Sequence, residues 1–304
     1  MDENINGYNK PKSATGLTVA LVIAAVAIVL LVAALIVGTV YNVGRGVSFW
    51  GGTSNYSYSG GNSYTATSEF SVSAAEISSI NINWIAGNVT VMVCDGEEIK
   101  VEEISNRTDP DDMMRYKVDR GTLEIKFRKS GRFISTNLKK DLIVEIPADI
   151  ATALGINIEA VSSDVDINTG GEVRDMDFES VGIATVSGHI HVSDVNTAEV
   201  DIETVSGDII VCGNISKADI DTVSGDVAFD VYSNPSELNI DTVSGNVDIG
   251  LREEPRKVDV ETVSGSITVG GTKTKREYES ENSAGVGEIG IVTVSGDVSI
   301  STKK

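Results

Sequence analysis

The chain has 304 residues, 41% of them hydrophobic, which is enough for one large or two modest domains with a real core. Its 24 basic and 45 acidic residues give a formal net charge of −21, which argues against binding to the phosphates of DNA or RNA. Thirty glycines against five prolines, with only 5% aromatic residues, indicate a β-rich chain with many tight turns.

A long apolar segment near the N-terminus predicts a membrane anchor. Residues 1–16 form a polar arm that contains Lys10 and Lys12, and residues 17–41 carry no charge. These 25 residues, at 1.5 Å each in a helix, exceed the ~30 Å hydrocarbon core of a bilayer, whereas the apolar part of a cleaved signal peptide has about 7 to 15 residues. We therefore expect an uncleaved transmembrane helix at 17–41.

The charges around this segment predict its orientation. Two lysines precede it and only Arg45 follows it closely, so the positive-inside bias favours a cytoplasmic arm and an exported C-terminal domain. We expect a single-pass protein of the cell membrane whose C-terminal domain lies outside the cytoplasm. The opposite orientation stays open, because the bias rests on a single charge.

The next region, residues 42–69, is rich in Gly, Ser, Asn, Tyr and Thr and has almost no charge. It lacks apolar periodicity, which predicts a flexible linker between the membrane and the folded domain. The folded domain is therefore expected to begin near residue 70 and to run to residue 304.

One tetrapeptide, Thr-Val-Ser-Gly, recurs six times in the second half of the chain. The copies begin at Thr185, Thr204, Thr222, Thr242, Thr262 and Thr293. Apolar residues at alternate positions around each copy predict strands with one inward and one outward face. A unit of 18–20 residues cannot bury its own apolar face, but stacked units can. The chain is therefore predicted to be all-β, as a single-stranded parallel β-solenoid (β-helix) with 18–20-residue coils over residues 70–304.

The last two copies lie 31 residues apart, which indicates an insertion of about eleven residues between Thr272 and Gly290. The inserted segment is rich in Lys, Glu, Gly and Ser, a composition typical of exposed loops. We expect it to project from the solenoid as a loop.

Acidic residues recur at fixed positions in the repeats, either before the threonine or after the glycine. They include Glu203, Asp221, Asp241, Glu261, Asp208 and Asp226. In stacked coils such carboxylates lie about 5 Å apart, and each pair repels by roughly 0.8 kcal/mol in water. Ca²⁺ bridging their oxygens would relieve that repulsion. The alternative, which we prefer, is a solvated acidic face without a metal or another cofactor.

A basic segment, in contrast, contains six positive side chains and no negative ones. These are Lys126, Arg128, Lys129, Arg132, Lys139 and Lys140, with Phe127 and Phe133 among them. Such a patch is a candidate ligand-binding surface for anionic lipid heads or an anionic wall polymer. The alternative, which we prefer, is an ordinary exposed hairpin that pairs in part with the acidic coils.

The remaining candidates for chemistry are two cysteines, two histidines and the repeated serines. Cys94 and Cys212 each lie in an apolar alternating run, so we expect two buried thiols in separate coils rather than a disulfide. His189 and His191, with Asp194, have a spacing that would allow a metal site, but surface residues beside a turn are the preferred interpretation. The repeated serines lack a recurring base, which indicates a structural role and predicts no catalytic residue.

The repeated Thr-Val-Ser-Gly-Asp-Val units, and the strand Leu142-Ile143-Val144-Glu145-Ile146-Pro147 that precedes them, resemble the Toastrack family. This family comprises bacterial "putative adhesin" domains of unknown function, and the resemblance covers about residue 70 to the end. It implies a single-stranded β-solenoid exposed outside the cytoplasmic membrane, in a family linked to envelope-stress sensing alongside other membrane proteins. No catalytic residues are implied.

These observations together predict a non-enzymatic, membrane-anchored binding or sensing module of the bacterial cell envelope. Its expected partners are the membrane and either an envelope polymer or a membrane signalling protein, and not nucleic acid. One alternative is a surface adhesin or structural scaffold. Another is a β-helix enzyme that cleaves polysaccharides, which needs two carboxylates about 5 to 9.5 Å apart. An active site should break the repeat, whereas the acidic positions obey it.

Overall fold

The computed structural model of the chain describes residues 55–56, 58–133, 138–148, 154–168 and 176–303. The predicted cytoplasmic arm 1–16 and the predicted transmembrane helix 17–41 lie outside these residues. Within the described ranges, no helix is long and apolar enough to cross a membrane.

Strands are almost the only regular elements in these ranges, which confirms the all-β prediction. Two short 3-10 helices, Gly61–Ser63 and Ala74–Glu76, are the exceptions among the described residues. The first part of the domain contains β1 (Asn55–Tyr56), β2 (Thr65–Ala66), β3 (Glu69–Ser73), β4 (Ser79–Cys94), β5 (Glu98–Ile104), β6 (Arg115–Asp119), β7 (Thr122–Lys126), β8 (Arg132–Phe133) and β9 (Asp141–Pro147). The repeats contain β10 (Gly155–Asn168), β11 (Met176–Ser187), β12 (Ile190–Ser206), β13 (Ile209–Ser224), β14 (Val227–Ser233), β15 (Glu237–Ser244), β16 (Val247–Leu251), β17 (Lys257–Ser264), β18 (Ile267–Val269), β19 (Thr272–Thr274), β20 (Glu277–Glu281), β21 (Glu288–Ser295) and β22 (Val298–Thr302).

Successive repeats stack in parallel and in register. Thr204 pairs with Thr222, and Thr222 pairs with Thr242. Each coil contributes to two long sheets that meet at the Ser-Gly corner: a front sheet before the corner, such as 217–222, and a back sheet after it, such as 209–211. A third, shorter side contains segments such as 213–215. This coil-on-coil pairing is the arrangement expected for a β-solenoid.

The inward side chains of the sheets form one core that runs along the stack. One inward column contains Ile183, Ile202, Ile220, Ile240, Ile291 and Val260, each at most 2% exposed. Fully burying one such side chain contributes about 1.5–3 kcal/mol. The repeat threonines are buried beside this column, whereas Val223 and Ser224, which follow Thr222, both face outward.

The corner glycine is required by close contact between coils. Gly225 has a φ of 146°, and a Cβ on it would lie 2.1 Å from the carbonyl oxygen of Gly207 in the preceding coil. Any other residue at this position would combine a strained backbone with a steric overlap. The glycine of the tetrapeptide therefore sets how closely the coils stack.

The spatial order of the coils differs from their order in the sequence. Thr293 pairs with Thr242 on one side and with Thr262 on the other, so the last repeat lies between the fourth and the fifth. β20 then pairs with β17, and β19 pairs with β18, both in antiparallel orientation. The end of the stack is therefore covered by these two strands.

The prediction of a projecting loop between Thr272 and Gly290 is thus wrong. After the fifth coil the chain must return to a position between the fourth and fifth coils, which requires extra length. On this path it lies against the outer, free edge of the fifth coil. The edge offers unpaired backbone groups, so the returning segment forms strands with it instead of extending into solvent. The tight turn at Gly270 and Gly271, with φ values of 54° and 82°, reverses the chain for this purpose.

The first part of the domain closes the other end of the stack, and we call its described residues between 55 and 147 the N-terminal cap. β4 pairs in parallel with β10 on one side and with β7 and β9 on the other. β3, β5 and β6 add antiparallel pairs around them. Trp84 takes the place of the repeat threonine in this coil, since it pairs with Ala160, which pairs with Thr185.

The described part of the predicted linker is folded onto this cap. Tyr56 is 1% exposed, and its hydroxyl accepts a hydrogen bond from the backbone N–H of Phe127 at 3.2 Å. The ring of Tyr58 packs edge-on against Tyr56 and Tyr64, with centroids 5.5 and 4.9 Å apart. The prediction of a linker up to Glu69 is wrong for these residues, because the tyrosine rings bury apolar surface that the linker composition did not reveal.

Candidate functional site

The outward side chains of the front sheet form three columns, which we call the front face. In three consecutive coils its residues are Glu199, Asp201 and Glu203, then Lys217, Asp219 and Asp221, then Glu237, Asn239 and Asp241. Paired strands lie about 4.8 Å apart, so these carboxylates are close neighbours. Of these nine front-face positions, seven hold acidic residues and one holds a lysine.

Burial and mutual repulsion raise the pKa of five of these carboxyls. Burial raises the pKa of Asp221 to about 7, and the negative charges of Asp241 and Asp219 add to the effect. Burial, followed by neighbouring acidic residues, also raises the pKa of Asp201, Glu203, Asp219 and Asp241. The front face therefore favours ligands that bring positive charge or hydrogen-bond donors.

The structure stacks three of the four acidic residues predicted to precede the repeat threonines. Glu203 pairs with Asp221, and Asp221 pairs with Asp241. Glu261 is not the next member of the column, because Val292 of the inserted last repeat separates it from Asp241. The predicted column is therefore interrupted by the order of the coils.

Asp208 and Asp226 lie in a different column, at the corner, where they hold the coils together. The backbone N–H of Asp226 donates to Oδ1 of Asp208 at 3.0 Å, and the N–H of Asn246 donates to Oδ1 of Asp226 at 2.7 Å. The same link continues from Asn246 to Asp297 and from Asp297 to Ser266. We call this series the corner ladder, and it gives these side chains a structural role.

The predicted alternative metal site at His189, His191 and Asp194 is not assembled. His189 takes part in the corner ladder, since its Nδ1 accepts the next coil's backbone N–H at 3.3 Å. Asp194 accepts a hydrogen bond from the hydroxyl of Tyr232 at 2.6 Å, and His191 lies 3.4 Å from Asp166. In the part of the chain that the structure describes, no group of three or more His, Cys, Asp and Glu side chains is placed to hold a metal ion.

Both cysteines are free and partly exposed, so the expectation of buried thiols is wrong. The side chains of Cys94 and Met92 lie on the outward side of the strand, and Val93 between them is buried. Burial raises the pKa of the Cys94 thiol. Cys212 also points outward, and its Sγ lies 3.3 Å from the hydroxyl of Tyr232.

The basic residues predicted to form a ligand-binding patch do not share one surface. Lys129 and Lys139 are exposed, whereas Arg128 and Lys140 are 4% and 1% exposed. Burial makes the last two unavailable to a polymer or a lipid surface, which corrects the expectation for them. The side chain of Arg132 lies outside the described part of the chain.

Lys140 is instead the centre of a buried polar cluster in the N-terminal cap. Its Nζ donates to Oε2 of Glu103 and to the carbonyl oxygen of Asp112, both at 2.7 Å, and to the carbonyl oxygen of Phe127. The same Nζ lies 5.1 Å from the ring centroid of Trp84. Burial lowers the pKa of Lys140 to about 8, although the charge of Glu103 opposes the change. The cluster ties several segments of the cap together.

One groove interrupts the front face at Gly182 and Ala184. In the next coil the equivalent positions hold Asp201 and Glu203. Glycine and alanine have no long side chains, so strand backbone forms the floor of the groove. A Cβ on Gly182 would lie 2.5 Å from Oδ1 of Asn157, which shows that the asparagine side chain lies partly over the glycine.

The groove is large enough for a small ligand and has a polar wall on each side. Its volume is about 470 Å³, within the range of about 300–1,000 Å³ that is typical of ligand pockets. Asn157 and Glu159 form the wall from the preceding coil, and Asp201 and Glu203 form the wall from the following one. The two walls are two coils apart, or roughly 10 Å between backbones.

Hydrogen bonds fix the first wall before any ligand arrives. The side-chain amide of Asn83 donates to Glu159, and Lys126 donates to the side-chain oxygen of Asn83. The amide of Asn157 donates to Oδ1 of Asn81 at 3.3 Å. These bonds run across coils, so the wall is a connected polar surface rather than a set of independent side chains.

Two tyrosines of the N-terminal cap also line the groove. Tyr56 is fully packed, but Tyr58 is only half-buried and lies 5.9 Å from Nζ of Lys126, measured at its ring centroid. The hydroxyl oxygen of Tyr58 is buried and has no hydrogen-bond partner among the described residues. Burial lowers the pKa of Lys126, against the pull of nearby carboxylates.

Sequence reasoning missed both the groove and the buried cluster. The groove has a signal, because Val-Gly-Ile-Ala-Thr-Val-Ser-Gly at 181–188 replaces both acidic residues of Val-Asp-Ile-Glu-Thr-Val-Ser-Gly at 200–207. The pair of Lys140 and Glu103 has no such signal, since its members lie 37 residues apart and outside the repeats.

A family model described as Toastrack DUF4097 matches residues 77–301 of the chain. No curated protein gives a significant match.

Several solved structures are similar to the chain. A "putative cell adhesion protein" from Clostridium sporogenes ATCC 15579 shares 16% identity, over 79% of this chain and 100% of that one, with a TM-score of 0.34. A "putative adhesin" from Bacteroides fragilis NCTC 9343 shares 12% identity, over 76% and 96%, with a TM-score of 0.45. Another, from Parabacteroides distasonis ATCC 8503, shares 13% identity, over 77% and 96%, with a TM-score of 0.38.

Proposed function

The chain belongs to the Toastrack family, and on this premise we propose that it is a non-enzymatic binding module of the bacterial cell envelope. In this proposal a helix at 17–41 anchors the chain in the membrane, and the β-solenoid stands outside the cytoplasm. Its front face binds an envelope component or a membrane signalling protein, and a role in sensing envelope stress follows from such a contact.

The front face is the observation that supports binding. It repeats the same outward columns from coil to coil, and the groove at Gly182 and Ala184 interrupts them. Solenoids present extended faces of this kind to partners. The carboxylates of Asp201, Asp219 and Asp221 resist ionisation in their surroundings, and a partner that supplies positive charge or donors would relieve their repulsion.

Crosslinking in native cells tests this proposal with the full chain in place. A photo-crosslinking residue is introduced at Glu199, an exposed residue of the front face outside the groove, and a matched one at Ile210, an exposed residue of the back sheet. We expect an envelope polymer or a membrane protein to be captured from position 199 and much less from position 210. Equal capture from both faces, or none from either, would contradict a binding role for the front face.

Orientation is tested separately with a membrane-impermeant thiol reagent. A single cysteine replaces Ser224, an exposed residue of a repeat corner, in a chain in which both native cysteines are changed to serine. Labelling in intact cells is expected for an exported domain. Labelling only after the cells are broken would place the domain in the cytoplasm and overturn the proposed location.

Hydrolysis is distinguished from binding in the same samples. The polymers captured from position 199, together with uronate and wall polymers, are incubated with the full chain, and new reducing ends are measured. We expect no new reducing ends. If reducing ends are released, the protein is a polysaccharide-cleaving enzyme, whose two carboxylates would have to flank the bound sugar.

A further inference from the structure

We propose that the groove at Gly182 and Ala184 binds a segment of an amine-bearing glycan, that is, a chain of sugars that carries primary ammonium groups. This inference rests on the proposed binding function and names the ligand class for the front face. Three features of the groove carry it: the floor, the polar walls and the balance of charge.

The floor favours recognition through side chains rather than through the backbone. The strand that carries Gly182 and Ala184 pairs with β10 on one side and with β12 on the other. Its backbone groups are therefore already engaged, and a peptide cannot add to it as an extra strand, which is the common way in which sheets bind extended peptides. A ligand in the groove must instead offer polar groups to the walls.

The walls fit a ligand with many hydroxyl groups. Asn157 and Glu159 on one side, and Asp201 and Glu203 on the other, supply amide and carboxylate oxygens along both edges of the floor. A sugar chain presents hydroxyl donors on both of its edges. The half-buried ring of Tyr58 adds an aromatic surface to this polar lining.

The balance of charge favours an ammonium group on that sugar. Glu159, Asp201 and Glu203 contribute three carboxylates to the groove, and Lys126 is the basic residue in its lining. The ammonium of Lys126 already donates to Asn83 and is 3.7 Å from Glu124. An anionic polymer would be repelled by this lining, whereas a primary amine would pair with the carboxylates.

Binding of two matched oligosaccharides tests the inference. The full chain in lipid nanodiscs is titrated calorimetrically with a β-1,4-linked glucosamine hexamer and with the N-acetylglucosamine hexamer, which differs by acetylation of the amines. We expect the amine-bearing hexamer to bind at least tenfold more tightly. Absence of binding by both hexamers, or equal binding, would overturn the proposal.

A matched pair of glycine variants assigns the binding to the groove. Gly182→Val fills the floor, where its Cβ would lie 2.5 Å from Oδ1 of Asn157, the end of a side chain that can move aside. Gly290→Val makes the same change in the same column four coils along, where the Cβ would lie 3.1 Å from Oδ1 of Asn239. We expect Gly182→Val to weaken binding at least tenfold and Gly290→Val to leave it unchanged, with circular dichroism confirming that both variants fold.

Charge and shape are separated by a second variant. The double change Asp201→Asn and Glu203→Gln keeps the size of the wall but removes its charge, so the preference for the amine-bearing hexamer should disappear. Asp248→Asn removes an exposed charge of the back sheet, away from the front face, and should keep the preference. Loss of binding in Gly290→Val as well would indicate unspecific attraction to the acidic face and would reject the groove as the site.

Crosslinking and hexamer binding together distinguish a wrong glycan assignment from the absence of a binding function. If crosslinking from position 199 captures a membrane protein while neither hexamer binds, the binding function stands and the glycan assignment falls. If position 199 captures nothing and neither hexamer binds, both fall.

Discussion

The N-terminal cap and the repeat coils are stabilised in different ways. In the cap, residues of unlike type meet once, as Lys140 does with Glu103 and the ring of Trp84. In the repeats similar contacts recur from coil to coil, as in the corner ladder from Asp208 to Asp226 and onward. A substitution in the cap therefore removes a unique interaction, whereas one in the repeats removes one of many similar ones.

This difference explains why polar groups can be buried in both regions. The cap buries a charged pair, which is costly unless both partners are present and fully hydrogen-bonded. Among the described residues, the polar side chains buried in the repeats are hydroxyls, such as that of Thr222, while the carboxylates of the repeats discussed above lie on the outward face or in the corner ladder. The cap is therefore the part of the fold most sensitive to the loss of a single side chain.

The largest expected effect comes from breaking the buried pair. Lys140→Ala leaves the carboxylate of Glu103 buried without its ammonium partner, and we expect the free energy of unfolding to fall by about 3–5 kcal/mol. The exposed neighbour provides the control, since Lys139→Ala should change it by less than about 0.5 kcal/mol. Urea unfolding followed by circular dichroism measures both. Similar effects for the two lysines would show that the cluster is not the centre of the cap.

A corner glycine should have the next largest effect. Gly225→Ala forces a residue with a side chain to adopt a φ of 146° against the carbonyl oxygen of Gly207, at an expected cost of about 1–3 kcal/mol. Gly290→Ala is the control, because its Cβ would meet only the side-chain oxygen of Asn239. Thermal unfolding of both variants makes the comparison. If Gly225→Ala lowers the melting temperature no more than Gly290→Ala does, the coils can separate at the corner without cost.

Two repeat threonines should respond differently to the loss of their hydroxyl. The hydroxyl of Thr185 donates to the carbonyl oxygen of Ser187 at 3.2 Å, so Thr185→Val should cost about 1 kcal/mol. The buried hydroxyl of Thr222 has no hydrogen-bond partner in the part of the chain that the structure describes, so Thr222→Val should be neutral or stabilising. Urea unfolding of the two variants tests this, and equal losses would show that both hydroxyls are bonded in solution.

The smallest expected effect is a dependence of stability on pH that arises on the front face. The pKa of Asp221 is raised to about 7, so between pH 8 and 5.5 the folded chain takes up a proton that the unfolded chain does not. The melting temperature should therefore rise as the pH falls through this range, and the gain is lost as the pH rises through about 7. Carboxyls with a lowered pKa, such as Glu124, stay ionised across this range and do not contribute. Lys140, whose pKa is lowered to about 8, opposes the gain at the upper end of the range, because the unfolded chain already holds that proton.

Asp221→Asn should flatten this dependence, because the amide does not titrate and no longer repels Asp241. Ser224→Ala, an outward substitution in the same coil, should leave it unchanged. Melting curves at several pH values compare the two variants with the native chain. A dependence that survives Asp221→Asn in full would move its origin away from this column.

The repeat allowed much of the fold to be predicted. Alternating apolar residues around each Thr-Val-Ser-Gly copy gave the inward column of Ile220 and its equivalents, because a strand has a period of two. Of the candidate site residues, Glu203, Asp221 and Asp241 stack as equal positions in successive coils should. The cap was harder to predict, because its tyrosines and its buried lysine lie outside any repeat.

The coil follows from the sequence: its length, its strands, its corner and the equivalence of positions from one copy to the next. These features depend on neighbours in the chain or on exact repetition, and both can be read from the residues. The order of the coils, in which Val292 separates Glu261 from Asp241, emerges only in the folded chain. The tertiary structure also decided that Arg128 and Lys140 are buried and that Gly182 and Ala184 form the floor of a groove. Those outcomes depend on which strand edges and which distant side chains meet, and such contacts leave no periodic trace in the sequence.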